Sequence, residues 1–214
     1  PMSSTVRVVL IWTIGVAASV GLLVLLAKLG ASSGSLSNVN ITLEAADHVN
    51  GPSTAKAQLV VYGDFECPAC GAYEPMVQAV KSSFGDKLAL VFRHYPLPQH
   101  KYAQITSQAA EAAALQGKFW EMHDLLYREQ TKWSTSSNIN ETLKGYATEL
   151  RLDVDKFTSD LNTSTIKDRI QRDVTTGNAY KIPGTPTFFL NGQEIQLPTT
   201  QQSLTDKINA ILNS

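Results

Sequence analysis

Hydrophobic positions follow distinct regimes along this chain. From Val8 to Ala27 they are nearly continuous, twenty residues without a charge between Arg7 and Lys28. At about 1.5 Å per residue, a helix of that length crosses the roughly 30 Å hydrocarbon core of a bilayer. The pattern therefore predicts a membrane anchor over 8–29 behind a short tail, 1–7. Gly30 to Asn40 is uncharged and rich in Gly, Ser and Asn, which predicts a flexible linker reaching to about residue 46. From Asp47 onward, short apolar runs alternate with helical spacings, and 47–214 reads as one domain.

Within that domain, Ala57 to Tyr62 is a β-branched apolar run, a buried strand. Ala72, Tyr73, Met76, Val77, Val80 and Phe84 then recur at helical spacing until Gly85, with Pro75 inside the pattern as a kink signal. Leu88 to Phe92 is a second strand, ended by Pro96 and Pro98. A helical block follows over about 101–176, with breaks near Gly117, between Trp133 and Asn140, and at Leu152–Asp153. The alanines between 109 and 114 favour helix there, and Trp120, Leu125, Leu126, Leu150, Phe157, Leu161 and Ile170 are its expected core. Thr187 to Leu190 is a strand, Asn191-Gly192 a two-residue hairpin signal, and Gln193 to Leu197 the return strand. Leu204, Ile208 and Ile211 mark a last amphipathic helix. The order is βαβ, a helical block, then ββα: an α/β fold with a helical insertion.

Charge narrows the partners. The 214 residues carry a net charge of −1 and no basic run, so the chain lacks the basic face that nucleic acid requires. The anchor is too long for a signal-peptide core, and Leu29-Gly30-Ala31 is a poor cleavage site, so the segment is expected to stay attached. Arg7 and the amino terminus favour a short tail inside and the domain outside. Small residues one turn apart, Gly15/Ser19 and Ala17/Gly21, permit helix contact but arise readily in a Gly/Ala-rich span.

Chemistry concentrates in Cys67-Pro68-Ala69-Cys70, the only cysteines present. They follow a strand and open a helix. Cys67 falls near the helix N-cap, where free N–H groups and the helix dipole favour an anion. The thiolate is the attacking species, which makes Cys67 the nucleophile and Cys70 the resolving thiol. Pro68 suits the first turn. A structural disulfide across four residues closes almost no loop and stabilises little. Zinc is the other competitor, through His94 and His100, but Pro96 and Pro98 between them prevent the helix that presents such pairs. No metal is expected, and no cofactor beyond the cysteine pair. His48 and His123 look isolated. Asn40, Asn140 and Asn162 open N-x-[ST] triplets, a pattern that chance also supplies.

Asp64-Phe65-Glu66-Cys67-Pro68-Ala69-Cys70 and Gly184-Thr185-Pro186-Thr187-Phe188-Phe189 resemble the two signatures of the DsbA-like thiol:disulfide oxidoreductases. Gly117-Lys118-Phe119-Trp120 leading into Met122-His123-Asp124-Leu125-Leu126 also resembles that family's inserted helices. The likeness covers roughly 47–214 and implies a thioredoxin fold with a helical insertion. It further implies a cis Pro186 facing the cysteines, with Thr185 backbone groups free to pair with an extended substrate. One departure stands out. Thioredoxins and many relatives carry a buried carboxylate six residues before the first cysteine, where this chain has Val61; Glu66 is the candidate substitute. Ala69 also offers the Cys67 thiolate no charge or side-chain hydrogen bond, which predicts a less oxidising couple than the strongest family members.

The resemblance implies an enzyme on the outer side of a bacterial cell membrane, introducing disulfides into unfolded or secreted proteins with free thiols. A quinone-linked membrane partner would reoxidise it. Reductase or isomerase work at the same cysteines is one alternative, and an anchored peptide-binding or chaperone module is another.

Overall fold

The computed structural model describes residues 40–214; the expected anchor over 8–29 lies outside them. Among the described residues, no helix is long and apolar enough to cross a membrane. The elements run β1 (His48–Asn50), β2 (Ala57–Gly63), α1 (Pro68–Phe84), a 3-10 turn (Gly85–Lys87) and β3 (Leu88–His94). The insertion follows as α2 (Ala103–Ala114), α3 (Phe119–Arg128), α4 (Gln130–Trp133), α5 (Ile139–Glu149), α6 (Val154–Asp160) and α7 (Ser164–Ala179). The chain closes with β4 (Thr187–Leu190), β5 (Gln193–Ile195) and α8 (Gln201–Asn213).

One sheet organises these elements, in the order β1-β3-β2-β4-β5. β2 and β3 are parallel and joined by α1, as a parallel pair requires a crossover; the remaining pairs are antiparallel. Alternation along β2 sends Leu59 and Val61 to one face, where they meet Val77 and Val80 of α1 and Leu204 and Ile208 of α8. Val60 and Tyr62 go to the other, against Phe189 and Ile182. The insertion builds its own core around Met122, Leu126, Trp133, Phe157 and Ile170, and that core includes Phe65, Cys67 and Cys70. The cysteines therefore sit where the sheet layer meets the insertion.

Local chemistry explains most boundaries. Gly117 takes φ +74° and ends α2, while Asn138 and Asp153 cap α5 and α6 by accepting the Glu141 and Lys156 N–H groups. The Asn191-Gly192 turn has positive φ at both residues, 46° and 83°, the pairing a tight two-residue hairpin needs.

Three expectations need correction. The return strand stops at Ile195, short of Leu197. The insertion has a further break before α7, whose N-cap is Thr163. The linker is not free over 40–46: Ile41 is buried and its N–H donates to Gly192 O at 2.9 Å. A Cβ on Gly192 would lie 1.9 Å from Asn40 Oδ1, so the arm lies directly against the hairpin turn. Arg93, itself buried, donates to both Asp47 carboxylate oxygens (2.9 and 2.8 Å) and to Thr42 O (2.7 Å). That ties down the arm and leads it into β1, an edge strand the sequence reading did not contain.

Candidate active site

Cys67 is the N-cap residue of α1, in extended backbone (φ −67°, ψ 118°), and Pro68 is the first helical residue. Pro68 and Ala69 are exposed. Cys67 is 6% and Cys70 4% exposed, and both are free thiols. The Thr185–Pro186 bond is cis, as the resemblance implied. Cys67 Sγ donates to Thr185 O at 3.3 Å, and Pro186 lines a small cavity together with Cys70. Thus the two separated sequence signatures meet at the sulfurs.

The environments split the pair. The Cys70 thiol donates to Cys67, and this is the chief reason the Cys67 pKa falls to about 5, against the opposing effect of partial burial. The Thr185 hydroxyl and the N–H groups of Cys70 and Ala69 add to it. Thr185 Oγ1 is buried and makes no well-formed hydrogen bond while Cys67 donates to the neighbouring carbonyl. It is a donor that the ionised sulfur can claim. The same cysteine–cysteine bond, reinforced by burial, pushes the Cys70 thiol far up. Cys67 is therefore the thiol that ionises readily, and Cys70 the one that holds its proton.

The loop before α1 is held chiefly by Asp64 and Gln130, neither of which the sequence singles out. Asp64 is fully buried; its Oδ1 accepts Glu66 N–H (2.8 Å), and its Oδ2 accepts Leu97 N–H (2.9 Å) and pairs with His100 Nδ1 (2.6 Å). Gln130, from α4, donates to Phe65 O (2.6 Å) and Cys67 O (2.9 Å). A Cβ on Gly71 would come within 2.5 Å of the Gln130 amide oxygen, so the glycine after Cys70 makes room for this clamp. Glu66 accepts the Tyr102 N–H and so secures the start of α2.

A family model described as thioredoxin matches residues 44–210. The chain belongs to the thioredoxin family. Its fold is also that of the crystal structure of oxidised BdbD from Bacillus subtilis: TM-score 0.74, 18% identity, covering 82% of this chain and 98% of that one. DsbA1 (alpha-DsbA1) from Wolbachia pipientis gives a TM-score of 0.72 at 19% identity, covering 81% and 94%. Among curated relatives, Na(+)/H(+) antiporter NhaA 1 of Salinispora arenicola is 43% identical over 168 residues, 78% of this chain and 25% of that protein. The chain spans about a quarter of the length of the curated relatives it matches.

The thioredoxin fold places the cysteine pair at the mouth of α1. In this thioredoxin-family chain, Val61 is apolar and lines the cavity behind Cys70. The histidines are not isolated. His48 Nε2 and His94 Nε2 each lie 2.8 Å from Glu111 Oε1, with Arg169 Nε 3.8 Å from the same oxygen. These donors lie close enough to hold an ion, but the guanidinium beside them already balances the carboxylate. Burial raises the Glu111 pKa, yet the hydrogen bonds from the two imidazoles outweigh it and hold the acid well below the usual range. His94 and His100 face different carboxylates, Glu111 and Asp64, so they do not form a ligand pair. His123 is 2% exposed and pairs with Asp124 Oδ1 at 2.9 Å.

Proposed function

We propose that this protein is a membrane-tethered thiol:disulfide oxidoreductase of the bacterial cell exterior, introducing disulfides into unfolded or secreted proteins. The opposed ionisation of Cys67 and Cys70 carries the reading. A low-pKa thiolate stabilises the reduced enzyme and so favours passing the disulfide on. A Cys67 pKa of about 5 falls between the values of roughly 7 in thioredoxin and about 3.5 in DsbA. That intermediate position agrees with a couple less oxidising than the strongest members.

In the cycle, a substrate thiolate attacks Cys67 Sγ of the oxidised enzyme. The Cys67–Cys70 bond breaks and its electron pair leaves on Cys70, which takes a proton. The second substrate thiolate then attacks the mixed disulfide, leaving the substrate oxidised and both cysteines reduced. No cofactor beyond the cysteine pair takes part. A quinone-linked membrane protein would accept the two electrons and restore the disulfide. Residues 8–29 would keep the enzyme at the membrane, and the antiporter names of the curated relatives suit such a setting. Because only 6% of Cys67 is exposed, a flexible extended segment is the form of substrate that reaches it, lying along Thr185 and Pro186.

Equilibration of the full chain with glutathione tests the direction. A couple well above the thioredoxin value of about −270 mV is expected. A potential at or below that value would make the protein a reductase and sink the oxidant reading.

A further inference from the structure

Asp64 brings a carboxylate into the turn that leads to Cys67, and the fold closes around it. It is fully buried. Its backbone carbonyl accepts the Cys67 N–H at 3.1 Å, and its Oδ1 accepts the Glu66 N–H at 2.8 Å. The turn is wound on Asp64, whose side chain bonds the backbone two residues on as aspartates in turns do. Where that carboxylate lies therefore decides where α1 starts, and with it the Cys67 sulfur.

The other carboxylate oxygen faces the loop between β3 and α2. Asp64 Oδ2 accepts the Leu97 N–H at 2.9 Å and pairs with His100 Nδ1 at 2.6 Å. Two residues further on, the Tyr102 N–H donates to the Glu66 carboxylate. The links from Leu97 and Tyr102 are backbone groups, which almost any residue supplies. Only His100 reaches across with a side chain, and among the described residues it is the one side-chain partner of Asp64. The adjacent cation is engaged elsewhere: Lys101 Nζ donates to the Tyr102 hydroxyl at 2.7 Å and lies 4.4 Å from the centre of that ring. His100 is also the member of the pair at the surface, its side chain 20% exposed against 0% for Asp64.

We propose that His100 is a positioning residue of the exchange reaction, holding the Asp64 carboxylate and through it setting the reactivity of Cys67. The inference rests on the exchange activity proposed above. A carboxylate only accepts, so His100 gives it the Nδ1 hydrogen, and the neutral ring keeps its lone pair on Nε2. That bond does two things. It fixes the turn from the loop side, where Gln130 fixes the Phe65 and Cys67 carbonyls from α4. It also disperses the Asp64 charge. A buried carboxylate that loses a partner is left unmatched, and three residues from Cys67 its charge opposes a thiolate. A less stable thiolate is a poorer leaving group when the oxidised substrate departs, and it shifts the couple toward the disulfide. His100 thus tunes the exchange without touching either sulfur.

The test is a series at position 100 in the full chain, read by iodoacetamide alkylation of Cys67 against pH and by equilibrium with glutathione. H100A should raise the alkylation midpoint by about one pH unit, the low end of what a nearby charge does. The glutathione equilibrium should move about tenfold toward the disulfide, the equivalent of that shift. H100N should return both close to the parent, because an asparagine amide nitrogen falls where Nδ1 was. H100Q, whose amide lies one bond further out, should not. With D64N as the background, H100A should add nothing to either readout.

A parent-like midpoint and equilibrium in H100A would overturn the proposal. So would H100N and H100Q behaving alike, since that would make His100 a matter of packing. A full H100A shift in the D64N background would overturn the route through Asp64. Should H100A fail to fold, H100N and H100Q decide by the same two readouts. Failure of the exchange reading looks different: glutathione would form no adduct on Cys67 even in the parent, while the alkylation midpoints would still rank the variants.

Discussion

Cys67 and Cys70 are the same side chain one helical turn apart and almost equally covered, yet they are driven in opposite directions. Cys67 stands at the helix mouth among donors: the Cys70 thiol, the Thr185 hydroxyl and two backbone N–H groups. Cys70 looks inward to Val61, Tyr127 and the aromatic side chains of the insertion. Burial alone does not separate them, since 6% and 4% exposure are nearly the same. What separates them is which sulfur receives hydrogen bonds and which gives one away.

The strongest way to break this contrast is to remove one sulfur at a time. C67S should abolish disulfide transfer to a reduced unfolded protein, whereas C70A should leave Cys67 able to form adducts that do not resolve. Intact-mass detection of stable mixed disulfides on C70A checks this. C70A should also raise the Cys67 pKa by more than any other single change, because the Cys70 thiol is its main stabilising donor. Next in size is Q130A. It leaves Phe65 O and Cys67 O without their clamp, and loss of these bonds should cost about 1–3 kcal/mol in denaturant unfolding and slow exchange several-fold. T185V should have the smallest effect, a modest rise in Cys67 pKa with stability nearly unchanged, read from alkylation rate against pH.

How much of this was legible in the sequence depended on distance along the chain. β2 and β4 are written in local apolar runs, the hairpin in Asn191-Gly192, and the helix mouth in Cys67-Pro68. The meeting of Cys67 with Thr185 came from the likeness of two separated signatures to a known family. Asp64, Gln130 and Tyr127 gave no local signal. Gln130 reaches Cys67 across 63 residues of chain, and a glutamine in a helical stretch looks like any exposed polar residue. Its one trace was Gly71, a glycine inside a helix where alanine would serve better unless something needs the space. β1 was missed because its His-Val-Asn is too short and mixed for periodicity to register. The arm over 40–46 was misread because Arg93, far along the chain, supplies the partners that hold it.

The central claim concerns one sulfur, and titrating it is the most direct test. Iodoacetamide alkylation of the reduced full chain should be followed at Cys67 by mass spectrometry from pH 3 to 10. The rate should rise to a plateau with its midpoint near pH 5. Because the folded pKa lies below that of the free thiol, the thiolate stabilises the reduced fold most fully above the free-thiol pKa. That contribution shrinks as pH falls and is lost through about pH 5. A midpoint near the free-cysteine value of about 8.5 would contradict the account.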